Sequence, residues 1–228
     1  MTIDELKLTL KENDISCNDE QLNLLEEYMR YILKWNESVN LTAIKDEASF
    51  RELMIYDSAL VLKYCRLDEK KVIDVGTGAG FPGMVISILS KADMTLLDAT
   101  KKKMDIVEAF DQVNKICIVS RVEDYGKQHR EEYDVVLSRA VAPLNELIEL
   151  DIALVKVNGY IVALKGKNYQ SEIKQAQNAL DKLGAKIEFI SNDLLPIGEE
   201  RHIIFIKKIK TTNKKYPRPY AEIKNKSL

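Results

Sequence analysis

The sequence has few cysteines, no long apolar run and no export signal. The 228 residues include only three cysteines, Cys17, Cys65 and Cys117, with no C-x-x-C pair and no histidine nearby. Such spacing excludes an obvious zinc site and is typical of reduced thiols in a cytosol. No apolar run approaches the roughly 20 residues of a membrane-spanning helix, and the amino terminus lacks the basic and apolar regions of an export signal. We therefore expect a cytoplasmic protein that binds no metal and no membrane.

The bulk composition is that of a globular protein with an uneven distribution of charge. Hydrophobic residues make up 46% of the chain and charged residues 31%, and the net charge is only −2. Residues 207–228, however, carry eight Lys or Arg against the single acid Glu222, so that the rest of the chain is net acidic. A basic tail on an acidic body suggests a polyanionic partner that is bound locally. A solvated, disordered tail is the alternative.

The pattern of apolar residues divides the chain into a helical part and an alternating part. The first 65 residues or so favour helices, with a capping box at Asn18 and Gln21 and a further helix from Glu47 to Tyr64. Beyond them the pattern predicts strands near 71–75, 94–98, 116–119, 133–138, 159–165, 187–191 and 202–208. It predicts helices near 82–91, 101–113, 144–156 and 169–183. Such alternation builds a doubly wound, mainly parallel sheet, and the last strand is expected to be antiparallel.

The most informative stretch runs from Val72 to Gly83 and reads VIDVGTGAGFPG. It is a short apolar strand with one acid that leads into a glycine-rich loop, as in α/β proteins that bind nucleotide-like cofactors. Read from Gly78, the loop formally matches the dinucleotide pattern G-x-G-x-x-G. That match is weak, because Phe81-Pro82 places a ring and a missing N–H where the helix should present donors to a pyrophosphate. Read from Gly76, the loop resembles motif I of class I S-adenosylmethionine methyltransferases.

The acidic residues favour the second interpretation. S-adenosylmethionine carries an ammonium and a sulfonium group, which the carboxylate of Asp74 complements, whereas the pyrophosphate of NAD would be repelled. Asp98 ends the next apolar segment, about 20 residues on, where an acid can accept hydrogen bonds from both ribose hydroxyls. Asp74 is expected to order the glycine loop and the methionine ammonium, directly or through water. A glycine-rich turn with two ordinary strand-end acids is the alternative.

Other strand ends carry further candidates. Val122 and Glu123 follow the third strand, where an adenine commonly lies between apolar side chains and a polar contact. Arg121, Arg139 and Lys165 place three cations at the same edge as a cationic cofactor. We expect RNA to account for them better than structural carboxylate partners, since arginine can bind a phosphate or the O6 and N7 atoms of guanine.

The absence of several motifs limits which atom can accept the methyl group. After the fourth strand the chain reads Ser138-Arg139-Ala140-Val141-Ala142-Pro143, without the Asp/Asn-Pro-Pro-aromatic loop of amino-group methyltransferases. No cysteine lies at the fourth or fifth strand end for covalent catalysis on a pyrimidine. His129 and His202 are predicted to lie away from the edge, which leaves no obvious general base. Guanine N7 needs none, because its lone pair carries no proton and can attack the methyl group directly.

Taken together, these motifs resemble those of the RsmG (GidB) family of bacterial ribosomal RNA methyltransferases. The glycine loop alone is typical of methyltransferases in general, whereas its combination with Ser-Arg-Ala-Val-Ala and Lys-Tyr-Pro-Arg is specific. The matching stretches begin at residues 35, 40, 56, 74, 97, 120, 138, 164, 200 and 215: Trp-Asn-Glu, Asn-Leu-Thr-Ala-Ile, Tyr-Asp-Ser, Asp-Val-Gly-Thr-Gly-Ala-Gly-Phe-Pro-Gly, Leu-Asp, Ser-Arg-Val-Glu, Ser-Arg-Ala-Val-Ala, Leu-Lys-Gly, Glu-Arg-His and Lys-Tyr-Pro-Arg. Met54 departs from the pattern, since relatives often carry a histidine there.

The resemblance implies a class I S-adenosylmethionine-dependent methyltransferase of seven strands. Residues 1–66 would form a helical extension on its core, 67–210 the methyltransferase domain and 211–228 the basic tail. It also implies methylation of N7 of a guanine in 16S rRNA of the small ribosomal subunit, without a covalent intermediate, by a monomer. The alternatives are a methyltransferase of the same fold that acts on a small molecule or protein, and a small-subunit factor that binds RNA without catalysis.

The resemblance also assigns residues to roles. The implied cofactor site comprises Asp74, Gly76, Gly78, Phe81, Asp98, Val122, Glu123 and Arg139. Catalytic support is implied for Arg139, Arg121 and Lys165. RNA contacts are implied for Arg121, Lys165, Arg201, Lys215 and Arg218.

The tail itself supports an interpretation as an RNA clamp. Pro217 and Pro219 should hold it extended, so that its cations follow a phosphate backbone while Tyr216 and Tyr220 stack on bases. Such a clamp would be dispensable for cofactor binding. In the rival interpretation the tail packs back on the sheet with both tyrosines buried.

Overall fold

Parallel strands connected by helices form one sheet, as the alternating pattern predicts. The structure, a computed structural model, describes residues 1–228. The strands are β1 Lys71–Val75, β2 Asp93–Asp98, β3 Ile116–Val119, β4 Tyr133–Arg139, β5 Val155–Lys165, β6 Ala185–Ile190, β7 Asp193–Leu194 and β8 Glu200–Lys208. Their order in the sheet is β3-β2-β1-β4-β5-β8-β6, and the short β7 pairs with β8. β8 runs antiparallel to both of its neighbours, whereas β1 to β5 are mutually parallel.

Helices cover both faces of the sheet. They are α1 Ile3–Glu12, α2 Asp19–Asn36, α3 Glu47–Phe50, α4 Asp57–Ala59, α5 Val61–Tyr64, α6 Gly83–Leu89, α7 Lys101–Glu108, α8 Val122–Gln128, α9 Leu144–Asp151, α10 Tyr169–Leu183 and α11 Tyr220–Asn225. A π-helical turn, Arg51–Tyr56, separates α3 from α4. No helix combines the length and the apolar character that crossing a membrane requires.

The seven predicted strands are all present, and the differences lie in short elements. β7, α8 and α11 were not predicted, because two to seven residues are too few to show a period. β5 begins at Val155 rather than 159, since its first residues join β4 through an irregular register. α9 accordingly ends at Asp151 rather than 156.

The helices before β1 are part of the main hydrophobic core. α2 begins with the predicted capping box, in which Asn18 and Gln21 exchange side-chain and backbone hydrogen bonds. Its apolar stripe, represented by Leu25 and Met29, joins Met84 and Leu96 of the α/β part in one cluster of 38 buried residues. These helices therefore share the core that covers one face of the sheet. The proposed domain boundaries at 66 and 210 remain predictions.

The tail packs against α9 instead of lying free of the body of the protein, while the backbone at Pro219 is extended, as expected. Tyr216 is 8% exposed and Ile223 is fully buried, and residues 220–225 form the helix α11. The guanidinium of Arg218 donates two hydrogen bonds, of 2.7 and 2.6 Å, to the fully buried carboxylate of Glu149. The rival interpretation holds for Tyr216, whereas Tyr220 remains partly exposed. The RNA contacts expected of Lys215 and Arg218 remain predictions.

The ion pair of Arg218 and Glu149 predicts that the packing of the tail contributes to stability. Arg218→Met should lower the free energy of unfolding by about 3 kcal/mol, because it leaves a buried carboxylate without its partner. Adding Glu149→Gln should recover most of the loss. Lys214→Met, at an exposed position, is the matched control and should be neutral. Urea unfolding of the four proteins measures this. Wild-type stability of Arg218→Met, with RNA binding that has become less dependent on salt, would instead favour the clamp.

Candidate active site

The carboxyl ends of β1 and β2, together with the segments that follow β3 and β4, border a cavity of about 260 Å³ at one edge of the sheet. The cavity is lined by five residues that the sequence assigned to the site: Gly76, Asp98, Arg121, Val122 and Glu123. Apolar walls are supplied by Val75 and Leu97 at the ends of β1 and β2 and by Val141 and Leu150. Tyr220 of the tail also lines it. This cavity suits a flat, mainly apolar group with a few polar contacts.

Two further cavities continue along the same edge. One of about 410 Å³ is bordered by Gly78, Phe81, Arg139 and Arg201, and it shares Gly76 with the first cavity. The other, of about 560 Å³, is lined by Lys165 together with Arg139 and Arg201. The structure therefore brings all predicted residues of the sheet edge together except Asp74, which is buried beneath it. Lys215 and Arg218 of the tail line none of the three cavities.

The glycine loop takes a backbone conformation that requires glycine. Gly76 has a φ of +66°, and a Cβ there would lie 2.8 Å from a methyl group of Val141. A Cβ at Gly80, where φ is +85°, would collide with the Tyr28 hydroxyl. That hydroxyl donates a 2.7 Å hydrogen bond to the Ala79 carbonyl. The loop is thus held from above by α2.

Asp74 holds the loop from below. One of its oxygens, Oδ2, accepts hydrogen bonds of 2.6 Å from the Thr77 hydroxyl and 2.8 Å from the Gly83 N–H. The side chain is fully buried, and Oδ1 has no partner. Burial raises the pKa of Asp74 to about 6, although both hydrogen bonds act in the opposite sense. The two hydrogen bonds give Asp74 the expected role in ordering the loop, and contact with an ammonium group remains a prediction.

Asp98 binds the loop from the neighbouring strand. Its two oxygens accept hydrogen bonds of 3.0 Å from the Gly78 N–H and 2.8 Å from the Thr100 N–H. The carboxylate lines the first cavity and is partly exposed. An ionised carboxylate has about four lone-pair sites, so Asp98 can accept further bonds from hydroxyl groups in that cavity.

Each of the three predicted cations at the edge has a carboxylate partner, as the structural alternative expects, and their contacts with RNA remain predictions. Arg121 Nε lies 3.2 Å from Glu123, and Lys165 Nζ lies 2.7 Å from Glu172. Lys165 is 8% exposed and also donates to the Ala142 carbonyl. It therefore positions the loop after β4 as well as facing the third cavity.

Arg139 and Arg201 share a single carboxylate, that of Asp57. The distances are 3.3 Å from Arg139 Nη1 to Oδ2 and 2.5 Å from Arg201 Nε to Oδ1. Asp57 is 1% exposed, and burial raises its pKa although both guanidinium groups act in the opposite sense. Arg139 also donates to the Leu53 carbonyl and lies 3.2 Å from the Met54 sulfur. The π-helical turn thus forms part of the site, as such turns often do.

Sequence reasoning gave no role to Asp57, Met54 or Tyr220 as lining residues. Asp57 had a signal, since it is an acid in an apolar helical stretch and belongs to the Tyr-Asp-Ser motif. Tyr220 had none as a lining residue, because the rival interpretation, in which the tail packs back on the sheet, does not indicate at which edge. His202 lies opposite Lys165 in the β5–β8 register, closer to the edge than expected. Its ring is nevertheless buried and stacks on Tyr169 at 3.8 Å.

Comparison with solved structures agrees on the fold. A putative transferase from Pyrococcus horikoshii superposes with a TM-score of 0.55 at 13% identity, covering 68% of this chain and 63% of that one. A ribosomal protein L11 methylase from Lactobacillus delbrueckii gives 0.54 at 15% identity, covering 69% and 79%. At such low identity these likenesses establish the architecture alone, and they confirm the predicted class I fold.

The family follows from the sequence comparison. A family model described as rRNA small subunit methyltransferase G (GidB) matches residues 21–204. The chain belongs to this family. A ribosomal RNA small subunit methyltransferase G from Thermoanaerobacter pseudethanolicus is 40% identical over 214 residues, 89% of this chain and 88% of that one. Another from Alkaliphilus oremlandii is 42% identical over 228 residues, covering 94% and 95%. Membership confirms the predicted enzyme class, a methyltransferase, and S-adenosylmethionine as its cofactor.

The buried Asp74 predicts a specific dependence of stability on pH. With its pKa at about 6 rather than 3.8, the native state takes up a proton between these values that the unfolded chain does not. Wild type should therefore gain stability relative to Asp74→Asn as the pH falls through 6, by about 2 kcal/mol between roughly pH 7.5 and 4.5. Urea unfolding at both pH values measures the difference.

A second variant checks the cause of this effect. Thr77→Val removes the hydroxyl that holds the pKa of Asp74 down. The change in stability should then occur at a higher pH. A difference between wild type and Asp74→Asn that does not vary with pH would contradict the buried-acid account.

The ion pairs of the edge should differ in their contribution to stability. Arg139→Ala should lower the free energy of unfolding by about 2–3 kcal/mol, because Asp57 is buried and loses one of its two cations. Arg121→Ala should cost under about 1 kcal/mol, because its side chain is 52% exposed. Urea unfolding of both variants tests this. Equal losses would show that burial does not distinguish the two pairs.

Proposed function

We propose that this chain, as a monomer in the cytoplasm, methylates N7 of a guanine in 16S rRNA of the small ribosomal subunit, with S-adenosylmethionine as the methyl donor. The transfer takes place in one step, by attack of the N7 lone pair in line with the bond to sulfur. No covalent enzyme intermediate is involved. The support comes from the fit of the cofactor to the edge cavities and from the groups that surround the acceptor position.

The residues present fit the cofactor. The first cavity offers apolar walls for a purine ring, Leu97 and Val122 among them, and the partly exposed carboxylate of Asp98 for a ribose. Gly76, Gly78 and Phe81 lead into the second cavity, which would take the methionine part beside Arg139. The orphan oxygen of Asp74 lies beneath this loop. When bound, S-adenosylmethionine supplies a methyl group on a positively charged sulfur.

The observation that carries the proposal is the state of the proton-accepting groups along the edge. Each carboxylate that lines the three cavities has another role: Asp57, Glu123 and Glu172 pair with cations, and Asp98 holds the glycine loop and is assigned to the ribose. His202 is buried beneath Tyr169. A hydroxyl or an exocyclic amine would require a general base. Guanine N7 requires only orientation of its lone pair toward the methyl group.

The RNA part of the proposal rests on the charges that remain accessible. Arg201 and Arg139 border the second and third cavities with guanidinium donors that their shared carboxylate does not use. Arg121 is half exposed at the mouth of the first cavity. We assign direct RNA contacts to Arg121, Arg201 and Lys215. Lys165 and Arg218, with their short bonds to Glu172 and Glu149, would act mainly by positioning the loops that carry them.

Transfer to guanine N7 gives a product with a distinctive reactivity. We expect radiolabel from the S-adenosylmethionine methyl group to enter 16S rRNA that has not been methylated by this enzyme. Because N7 methylation places a positive charge on the purine, borohydride followed by aniline should cleave the strand at one guanine. Primer extension locates the break, and mass mapping of nuclease fragments identifies the base. Assembled 30S subunits and naked 16S rRNA are compared as substrates.

Three other outcomes of this experiment would support an alternative function or another acceptor atom. Label that enters a protein or a small molecule of a cell extract, and not RNA, would support another acceptor. Binding of 16S rRNA without any transfer would support a non-catalytic factor. Methylated RNA that resists strand cleavage would place the methyl group at another atom. In that case the single-turnover rate should rise with pH, as removal of a proton by a base requires.

A further inference from the structure

The first cavity has a wall that the strand ends do not supply. Eleven of its thirteen lining residues lie at the ends of β1 and β2 or in the segments that follow β1, β2, β3 and β4, and Leu150 comes from α9. The remaining one is Tyr220, at the beginning of α11 in the tail. Its side chain is partly exposed, so one part of the ring is accessible from the cavity. An aromatic ring from a distant segment therefore completes the part of the site that suits a purine.

The segment that carries Tyr220 is fixed to the body of the protein by several contacts. Arg130 donates hydrogen bonds of 2.9 and 2.7 Å to the carbonyl groups of Thr212 and Tyr216. Ile223, on the other side of Tyr220, is fully buried. The backbone N–H of Arg218 donates to Glu149, as its guanidinium does. Residues 212–225, the strap, therefore form an ordered segment across α9.

The strap is anchored by the ion pair of Arg218 and Glu149, and each of these residues is close in sequence to a residue that lines the cavity. Glu149 directly precedes Leu150, which lines the cavity. Arg218 lies two residues before Tyr220. The ion pair between Arg218 and Glu149, at 2.6 Å, therefore fixes the position of the Tyr220 ring relative to the cavity wall.

The ring also contacts the residues that follow β3. The guanidinium carbon of Arg121 lies 5.2 Å from the centroid of the Tyr220 ring, within the range of a cation–π contact. Arg121 in turn pairs with Glu123 at 3.2 Å. Glu123, Arg121 and Tyr220 thus form a continuous row at the mouth of the cavity, all three lining it. The row joins the strap to a residue that the sequence assigned to the cofactor.

We propose that Tyr220 is a cofactor-binding residue and that the strap forms the outer wall of the adenosine site. The inference rests on the proposed placement of S-adenosylmethionine at this edge. It assigns the ring to the adenosine part, which the product S-adenosylhomocysteine shares, and not to the methyl group. Loss of the ring should therefore weaken both ligands alike. It reverses the expectation that the tail is dispensable for cofactor binding.

The test measures cofactor binding directly, in the absence of RNA. Isothermal titration with S-adenosylmethionine and with S-adenosylhomocysteine should show that Tyr220→Ala raises the Kd for each by about 5- to 150-fold, the range for losing one aromatic contact with a base. Tyr220→Phe keeps the ring and should bind within about twofold of wild type. Lys224→Ala, an exposed change on the same helix, is the matched control and should bind like wild type. Thermal unfolding of each variant shows that it is folded.

A second measurement follows the strap itself. Bound S-adenosylhomocysteine should slow amide hydrogen exchange in residues 212–225 of wild type, and this protection should be lost in Tyr220→Ala. Arg218→Met should weaken cofactor binding as Tyr220→Ala does, because it removes the ion pair with Glu149 that anchors the strap.

Several outcomes would overturn the inference. One is wild-type affinity of a folded Tyr220→Ala, and another is unchanged exchange in the strap on ligand binding. A Tyr220→Phe variant as weak as Tyr220→Ala would assign the effect to the hydroxyl rather than to the ring. Failure of the proposed guanine methylation is a separate result, because none of these measurements uses RNA or methyl transfer.

Discussion

The site depends on one carboxylate that the fold removes entirely from water. Asp74 joins the end of β1 to both ends of the glycine loop, through the Thr77 hydroxyl and the Gly83 N–H. Desolvation of this group costs free energy, as its pKa of about 6 shows. The hydrogen bonds keep the loop in its bend above the strand. The positions of Gly76 and Gly78, and hence of the first two cavities, follow from that bend.

The amino-terminal helices act on the same loop from the opposite side. Tyr28 donates a hydrogen bond to the Ala79 carbonyl, and Gln21 donates one to the Ile88 carbonyl at the end of α6. The π-helical turn that follows leads into Asp57, which pairs with both Arg139 and Arg201. These helices therefore have two functions. They cover one face of the sheet, and they fix side chains at an edge that the sheet alone would leave incomplete.

Sequence reasoning was successful where the information is local. Strand positions, the glycine loop and Asp98 follow from apolar periodicity and from residue types within a short window. The partners of the cations do not, because Arg139 meets an acid 82 residues away in the chain. Periodicity shows that a face is buried but not which side chain lies opposite. The same reason explains why the packing of the tail was not predicted. Its alternating Lys, Tyr and Pro are typical of a solvated segment, and the sequence does not show that Arg218 pairs with the buried Glu149 of α9.

The pairing of the cations has a consequence for the chemistry. Around the edge, the four cations Arg121, Arg139, Lys165 and Arg201 are balanced by five carboxylates, Asp57, Asp74, Asp98, Glu123 and Glu172. Unpaired guanidinium groups would repel a sulfonium cofactor and a purine that gains a positive charge. Paired ones still present N–H donors to phosphate oxygens. The carboxylates thus allow one edge of the sheet to accept both a polyanionic substrate and a cationic methyl donor.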